Sequence, residues 1–473
     1  MQRNTKRTLT AVLTAVVLVA TVVVIGLSIG LNYTPRSSIL KVYNWEDYIE
    51  TDLISEFEEY YRELTHNPQF KVEYHTFSDN EELYSKLKTQ HTDYDLIMPS
   101  EYMVEKMYAD GLLRPIDTDR LTDFATIMDR EILDRTDKFA QIDGQTYAIP
   151  YIVGTVGIMY DTAVIDRLAE TTGIDSERFV EILHDEGFGV LFGAAGTTAF
   201  KGHITMKKSA RDTVGIASLY AARADLQAAL AAIPADTDDP DYAKALAHYS
   251  NVINDALNLQ GDYTVDRART VLTAQINDMA PVYENDDGKI SFQSDRNQYA
   301  YGLYWSCDAG LVMYEDDDNI RENIGFYAPE NGTNLWTDNF AMPIYGANPD
   351  AAYAFMEFLL DPDHAMANIE YVGSTMAVQD AIDFLRDDWA EDDNPWLDIY
   401  IDTVFPTSAA IEHCAIMHNF TPDQEAVVNN LMIELMSEAA TDSSGLLWFW
   451  LVLLLLAATA AVVYYLTHRR RRV

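Results

Sequence analysis

Val42-Tyr43-Asn44-Trp45-Glu46-Asp47-Tyr48-Ile49 joins the start of an apolar strand to an indole, two carboxylates and a phenol. Strand alternation predicts that Tyr43 and Trp45 share one face of a sheet. The acidic pair Glu46-Asp47 suits the first turn of a following helix. Such a junction lies at the carboxyl edge of the sheet, where open α/β sheets bind ligands. An ordinary turn with a packed tryptophan is the alternative interpretation.

The strand and helix seen here begin a repeating pattern. Strands are predicted over Ile39–Tyr43, Phe70–Tyr74 and Asp95–Met98, with helices over Asp47–Tyr61 and Asn80–Leu87 between them. Alternation of this kind indicates a parallel sheet covered by helices, and hence an α/β fold. Ser100 and Tyr102 follow the third strand and therefore lie at the same edge as Trp45.

Further along the chain, Gln145–Tyr160 is rich in strand-forming residues and long enough to leave one lobe and enter another. A short strand at Ile204–Met206 leads into a helix for which Ser209 is a plausible N-cap and Asp212 the third residue, the spacing of a capping box. Capping and ligand binding both remain open for these two side chains. The glycine-rich stretch from Gly187 to Gly202 has no assigned role.

Composition limits the class of protein. The chain has 473 residues, enough for two or three compact units. Its 33 basic and 75 acidic residues give a formal charge of −42, which argues against nucleic acid as a partner. Solubility or a salt-rich habitat explains this charge at least as well as steering of a cationic ligand does. The cysteines are Cys307 and Cys414, so one bridge is the most that can form, and a four-cysteine zinc site is excluded.

Both ends of the chain carry membrane signals. Arg3, Lys6 and Arg7 precede an apolar run from about residue 9 to residue 31, which predicts an uncleaved signal anchor. A second apolar run, about 446–466, has tryptophans at one edge and tyrosines at the other and is followed by Arg469–Arg472, as in a transmembrane helix. The basic flanks predict that both termini are cytoplasmic, with the rest of the chain on the extracytoplasmic face of the cytoplasmic membrane.

A tryptophan close to an acid recurs at three separated strand ends: Trp45 with Asp47 and Tyr48, Trp305 with Asp308, and Trp336 with Asp338. An indole face attracts a cation, and a carboxylate accepts its N–H bonds, so the combination suits an alkylammonium ligand. Core packing explains any single pair equally well. Three pairs at strand ends favour a binding site.

The sequence lacks several motifs that are typical of hydrolases. The chain has no Gly-x-Ser-x-Gly elbow and no His-Glu-x-x-His motif, and Ser85–Lys88 matches the Ser-x-x-Lys pattern without its companion motifs. We therefore predict a non-enzymatic protein that uses neither a cofactor nor a metal ion.

Several motifs in matching order resemble one family. They are Val42–Tyr48, Tyr94–Ser100, Ala148–Tyr151, Trp336–Pro343 and Phe355–Pro362. In these the chain, from about Ile39 to Glu438, resembles the spermidine/putrescine-binding proteins of bacterial ABC importers. The resemblance implies the two-lobed periplasmic-binding-protein type II fold, which closes on its ligand at a hinge, and ABC permease subunits as partners.

The resemblance also implies domain limits and roles for residues. Residues 1–37 are the basic tail, anchor and linker, 38–149 and 336–380 form lobe 1, 150–335 and 381–440 form lobe 2, and 441–473 are the second membrane helix and Arg-rich tail. An aromatic box around the ligand and an acid for one ammonium are implied, with further acids toward the other end of the ligand. Together with three neighbouring residues, they make up the predicted site: Trp45, Asp47, Tyr48, Ser100, Tyr102, Ser209, Asp212, Trp305, Asp308, Trp336 and Asp338.

Within this set, Asp338 is expected to bind one ammonium. Asp308 follows Trp305 at the spacing of putrescine-preferring members, whereas Ser209 stands where spermidine binders have an aspartate. The predicted function is a membrane-tethered polyamine receptor for putrescine, spermidine or both. A tethered polyamine sensor, or a receptor for another small cationic solute, is the alternative.

Overall fold

The computed structural model of the protein describes Thr21 and residues 34–122, 124–285, 288–294, 296–315, 319–389 and 395–437. Apart from Thr21, the two predicted membrane spans lie outside these residues. Within the described part of the chain, no helix combines the length and apolar character needed to cross a bilayer.

The strands are, in chain order, β1 (Ile39–Trp45), β2 (Lys71–Phe77), β3 (Leu96–Ile97), β4 (Leu113–Arg114), β5 (Gln141–Ile142), β6 (Gln145–Thr146), β7 (Ile149–Asp161), β8 (Ile204–Lys207), β9 (Val282–Glu284), β10 (Tyr301–Trp305), β11 (Tyr314–Glu315), β12 (Asn319–Ile320), β13 (Ile324–Tyr327), β14 (Thr333–Phe340), β15 (Met342–Pro343), β16 (Thr375–Met376) and β17 (Cys414–Ala415).

The α-helices span Thr51–Thr65, Asn80–Gln90, Glu101–Ala109, Phe124–Ile127, Arg130–Ala140, Thr162–Thr172, Ser176–Glu186, Ala210–Ala221, Arg223–Ala231, Tyr242–Leu257, Val265–Met279, Gly288–Gln293, Ser306–Met313, Pro349–Leu359, Pro362–Val372, Gln379–Trp389, Pro395–Val404, Ser408–Glu412 and 422–437. Short 3₁₀ helices cover Arg36–Ser38, Thr118–Arg120, Gly187–Phe192 and Ala194–Phe200.

Lobe 1 is built on a parallel sheet in the order β2-β1-β3. The predicted alternation holds, because Val42 packs into the larger buried cluster while Tyr43 and Trp45 pack into a smaller one on the opposite face. One predicted boundary is wrong. The first helix begins at Thr51 with Glu50 as its N-cap, so Glu46 and Asp47 lie in a turn before it, and Asp47 has a left-handed φ of 56°.

Lobe 2 is built on the strands β10, β8 and β9, which pair in parallel, and on β13. The stretch left unassigned by the sequence packs here as two 3₁₀ helices whose side chains Phe188, Val190 and Phe200 are buried. The hydroxyl of Tyr301 in β10 donates to the carbonyl of Val190 at 3.0 Å. This stretch is therefore part of the lobe 2 core.

Two strands cross between the lobes. In β7 all residues are buried; its first half pairs with β14, and its second half pairs with β10 and β13. In β14, Thr333 and Asn334 pair with β17, while Asp338 bridges to Ser100 of lobe 1. The pairing of β14 with β7 is irregular between Asp338 and Asn339. The prediction that one long strand joins the lobes is confirmed, and β14 forms the second connection.

Candidate functional site

A cleft of about 740 Å³ lies between the lobes, at the carboxyl ends of their strands. Every residue predicted for the site lines it: Trp45, Asp47, Tyr48, Ser100, Tyr102, Ser209, Asp212, Trp305, Asp308, Trp336 and Asp338. Trp45 and Trp305 end their strands as predicted, but the prediction of a strand end is wrong for Trp336 and Asp338, which lie inside the crossing strand β14. Side chains that the sequence did not single out complete the lining, among them Asn80, Glu101, Lys207, Arg211 and Asn334.

Asp338 is the acid on β14, the second strand that connects the lobes. Only 4% of its surface is exposed, and the hydroxyl of Ser100 donates to its Oδ1 at 2.6 Å. Burial raises the pKa of Asp338 to about 7, because a buried carboxylate loses its hydration. The hydrogen bond from Ser100 acts in the opposite direction and favours the charged form. A cation placed beside Asp338 would further favour that charged form.

Glu101 is a second buried acid beside this position. Its Oε2 accepts the backbone N–H of Thr337 at 3.0 Å, one residue before Asp338. Burial raises the pKa of Glu101 to about 8. Since one of its oxygens binds the backbone of β14, Glu101 fixes the strand that carries Asp338.

Asn80 supports two of the predicted residues. Its Nδ2 donates to the hydroxyl oxygens of Ser100 and Tyr102, both at 2.9 Å, and its Oδ1 accepts the backbone N–H of Ser100 at 3.2 Å. Asn80 is 3% exposed. It begins a helix in the sequence, and nothing in its immediate neighbours distinguishes it from a residue of an ordinary helix start; its role depends on the fold.

The turn after β1 provides one wall of the cleft. Trp45 is half-buried, and its ring centroid lies 4.6 Å from that of Phe77 and 6.3 Å from that of Tyr48. Asp47 is exposed at the rim. The sequence assigns Trp45 and Asp47 to the same site, but the structure places them in different environments. The indole is partly packed, whereas the carboxylate faces solvent.

Trp336 forms the floor. It is 8% exposed, and its indole N–H donates to the carbonyl of Thr155 at 3.0 Å. The ring lies directly over Gly154 of β7, where an added Cβ would come within 2.3 Å of the indole and of Ser306 Oγ. Glycine at this point of the crossing strand leaves the space that the indole of Trp336 occupies.

Ser209 and Asp212 begin the helix Ala210–Ala221 on the lobe 2 side. Ser209 is the N-cap, accepting the backbone N–H of Asp212 at 3.3 Å, so the predicted capping is confirmed. Asp212 is 7% exposed, and burial raises its pKa. Both side chains line the cleft, and that of Ser209 also caps the helix.

Asp308 is already paired with a cation of the protein. Lys207, at the end of β8, forms an ion pair with its Oδ2, and the side chains are only 3% and 4% exposed. The ammonium of Lys207 lies 3.7 Å from the ring centroid of Trp305, and the ammonium of Lys289 lies 3.9 Å from Asp308 Oδ1. Lys207 thus makes both contacts, carboxylate and indole face, that the sequence pattern assigns to a ligand ammonium.

A second internal cation covers Tyr102. The guanidinium of Arg211 lies 3.9 Å from the ring centroids of both Tyr102 and Phe420, and it donates to the carbonyl of His418 at 2.7 Å. The sequence shows Lys207 and Arg211 only as members of a basic run at a strand end. Only the tertiary structure shows that they lie against aromatic rings of distant segments.

Contacts across the mouth of the cleft join the lobes. Lys106 of lobe 1 forms an ion pair with Glu425 at 3.0 Å. Glu105 accepts the backbone N–H of Asn419 at 2.7 Å, and its other oxygen lies 2.8 Å from His418 Nδ1. Glu425 belongs to the helix 422–437, which packs on the lobe 2 helices. The lobes are therefore bridged by side chains of the helix Glu101–Ala109 and the segment 418–425.

The cysteines do not pair. Cys307 and Cys414 are both free and buried, and the thiol of Cys414 donates to the carbonyl of Ala410 at 2.7 Å. Burial raises the pKa of Cys414 to about 12. The bridge left open by the sequence is absent from the structure.

Comparison with known proteins places this architecture in a family. The profile described as bacterial extracellular solute-binding protein matches residues 52–395. The chain is 24% identical over 351 residues to the spermidine/putrescine-binding periplasmic protein of Escherichia coli K12, covering 74% of this chain and 80% of that protein. It is 25% identical over 347 residues to the putrescine-binding periplasmic protein PotF of the same strain, covering 72% and 78%.

Among solved structures, the spermidine/putrescine ABC transporter substrate-binding protein PotD of Streptococcus pneumoniae aligns with a TM-score of 0.59. The two chains are 24% identical, and the match covers 85% of this chain and 99% of that one. This likeness confirms the two-lobed α/β fold. With a family profile that matches most of its length, the chain belongs to the bacterial extracellular solute-binding proteins, the receptors of ABC importers rather than enzymes.

Proposed function

We propose that this protein is an extracytoplasmic receptor for a polyamine, which it binds between its lobes and delivers to an ABC permease. The observation that carries the proposal is Asp338, a buried carboxylate on β14 with Trp336 and Trp45 lining the same cleft. The polyamine-binding proteins of Escherichia coli named above support the ligand class.

The chemistry of the cleft fits an alkylammonium chain. Lobe 1 contributes Glu46, Asp47, Asp79, Glu81 and Glu101 to the lining, in addition to Asp338 on β14. A desolvated cation–indole contact contributes up to about 2 kcal/mol, and a micromolar complex requires about 8 kcal/mol. Charge-assisted hydrogen bonds to Asp338 and contact with two indoles are the interactions that must outweigh the cost of association.

The test is binding to the full-length protein in detergent, measured by calorimetry and by thermal unfolding. Putrescine, spermidine and the mono-N-acetylated form of each are titrated, with maltose as a neutral control. We expect at least one of the four amines to bind and to raise the unfolding temperature, because a ligand of the folded state stabilises it. If none does so, the protein is not a polyamine receptor.

We further propose that the receptor is held on the outer face of the cytoplasmic membrane by spans near residues 9–31 and 446–466. The apolar runs, aromatic edges and basic flanks of these segments support this arrangement. Confinement to the membrane plane would raise the effective concentration of the receptor near its permease. A tether at each end would also keep the cleft on the side from which solute arrives.

Topology is tested with reporters fused after Val473. A reporter that functions only in the cytoplasm is expected to be active, and one that functions only outside is expected to be silent. The reverse pattern would exclude the two-span arrangement without affecting the ligand proposal.

A further inference from the structure

Three side chains on one face of β14 follow the floor of the cleft. Asn334, Trp336 and Asp338 alternate along the strand and all line the cleft. At the rise of a β-strand, the first and last are about 13 Å apart. A ligand lying along β14 would therefore meet a carboxylate at the lobe 1 end, an indole in the middle and a carboxamide at the lobe 2 end.

On the lobe 2 side of the cleft, cationic side chains of the protein itself already contact the acidic and aromatic residues. The ammonium of Lys207 pairs with Asp308 and lies over Trp305, and the guanidinium of Arg211 lies over Tyr102. A second ammonium on the ligand would have to compete with Lys207 for Asp308. Lys207 is covalently held beside this carboxylate, so its effective concentration there far exceeds that of a free ligand.

Asn334 offers a neutral partner at this end. It is 1% exposed, and its Oδ1 has no hydrogen-bond donor within the described part of the chain. A buried carbonyl oxygen without a donor is unfavourable, so a ligand N–H that reaches it would gain affinity. The N–H of an amide can supply this bond without introducing a charge beside Lys207 and Arg211.

We propose that Lys207 sets the specificity of the cleft for a mono-N-acylated polyamine, bound with its free ammonium at Asp338 and its amide at Asn334. The aliphatic chain lies over Trp336. This inference rests on the proposed polyamine receptor and names the member of that class. Lys207 acts here as a substitute for the second ammonium of an unmodified polyamine, because it already makes the contacts with Asp308 and Trp305.

The first test compares each amine with its acylated form in the full-length protein. N-acetylputrescine is expected to bind at least about tenfold more tightly than putrescine, and N-acetylspermidine more tightly than spermidine, since a tenfold ratio corresponds to losing one charged contact. If putrescine and spermidine bind as tightly as their acetylated forms, the specificity proposal is overturned while the receptor proposal stands.

The second test changes the internal cation. Lys207→Met removes the charge and keeps most of the length of the side chain, so Asp308 becomes available to a ligand. Putrescine affinity is expected to rise about tenfold, with little change for N-acetylputrescine. Lys244→Met is the matched control, because Lys244 is an exposed residue of the helix Tyr242–Leu257, outside the residues that line the cleft. It should change neither affinity.

Loss of Lys207 leaves Asp308 buried without its main partner, and this can impair folding. The double variant Lys207→Met/Asp308→Asn removes both charges and preserves a neutral pair. It is expected to fold and to lack the gain in putrescine affinity. A gain that persists in the double variant would show that Asp308 is not the group released, and would overturn the role assigned to Lys207.

Discussion

Asp338 illustrates how one carboxylate becomes suited to a cation. Ser100 donates to it, Glu101 fixes its strand, and burial leaves few water molecules to stabilise its charge. An ammonium ligand would supply the missing stabilisation. The residue is therefore poised for a charged partner, and it is the position at which a single substitution should have the largest effect.

We expect Asp338→Asn to weaken amine binding at least about tenfold, or 1.4 kcal/mol. The carboxamide keeps the shape of the side chain but loses the charge. Asp278→Asn is the matched control, since Asp278 is an exposed residue of the helix Val265–Met279, outside the residues that line the cleft. Calorimetric titration should give the control an affinity close to that of the native protein. Equal losses of affinity in the two variants would show that Asp338 has no special role in binding.

Binding should also depend on pH through Asp338. Its pKa of about 7 in the free protein means that the carboxylate is mostly protonated at pH 6 and mostly charged at pH 8. The ligand amine stays protonated over this interval, with a pKa near 10. Affinity is therefore expected to fall about tenfold from pH 8 to pH 6.

The control for this pH dependence is a pair of variants. Asp338→Asn should remove it, whereas Glu101→Gln should retain it, although the pKa of Glu101 is also raised, to about 8. In the free protein, the raised pKa of Asp338 means that its contribution to stability is lost as pH rises through about 7. A cationic ligand should consequently raise the unfolding temperature more at pH 8 than at pH 6.

At the scale of single elements, β7 is the strand on which the site depends. It carries Gly154 under the floor of the cleft and Gly157 further into lobe 2. Both glycines are closely packed: an added Cβ on Gly157 would come within 2.4 Å of Phe326, away from the cleft. Substitutions at Gly154 and Gly157 therefore distinguish the general effect of disturbed packing from the specific effect on the cleft.

Gly154→Ala is expected to displace Trp336 and to weaken ligand binding at least about tenfold through the lost indole contact. Gly157→Ala should lower the unfolding temperature by a similar amount without a comparable loss of affinity. Calorimetry and thermal unfolding of both variants distinguish these effects. Normal binding by Gly154→Ala would mean that Trp336 does not need its present position.

The elements themselves were largely predictable from the sequence. Alternating apolar residues identified β1 and the length of β7, and Ser209 was correctly identified as a helix cap. The start of the first helix was wrong by several residues, because Glu46 and Asp47 have the composition of a helical first turn but lie in the loop before it. Local composition does not specify the left-handed turn at Asp47.

At the scale of the whole molecule, side chains of the two lobes contact each other beside the cleft. The ion pair between Lys106 and Glu425 and the hydrogen bonds of Glu105 to His418 and Asn419 join them at the entrance. These contacts stabilise the closed arrangement relative to an open one. Any change that removes them should shift the population toward the open form.

Lys106→Met is expected to increase the radius of gyration of the free protein in small-angle scattering and to accelerate ligand release about threefold to tenfold, since partly buried ion pairs contribute on the order of 1 kcal/mol. Lys88→Met is the matched control, because Lys88 pairs with Asp110 at 2.9 Å inside lobe 1. If both variants release ligand at the native rate, the bridge does not hold the lobes together.

The sequence determined the alternation of strands and helices in lobe 1, the crossing strand, and the recurrence of a tryptophan close to an acid, because these depend on local alternation and short spacings. Tertiary structure decided which of those acids remain for a ligand. Parallel pairing sets Thr205 opposite Gly302, which brings Lys207 beside Trp305 and Asp308, a partner 101 residues away. No local pattern encodes that ion pair, since its energy exists only where two distant strand ends exclude water from both charges.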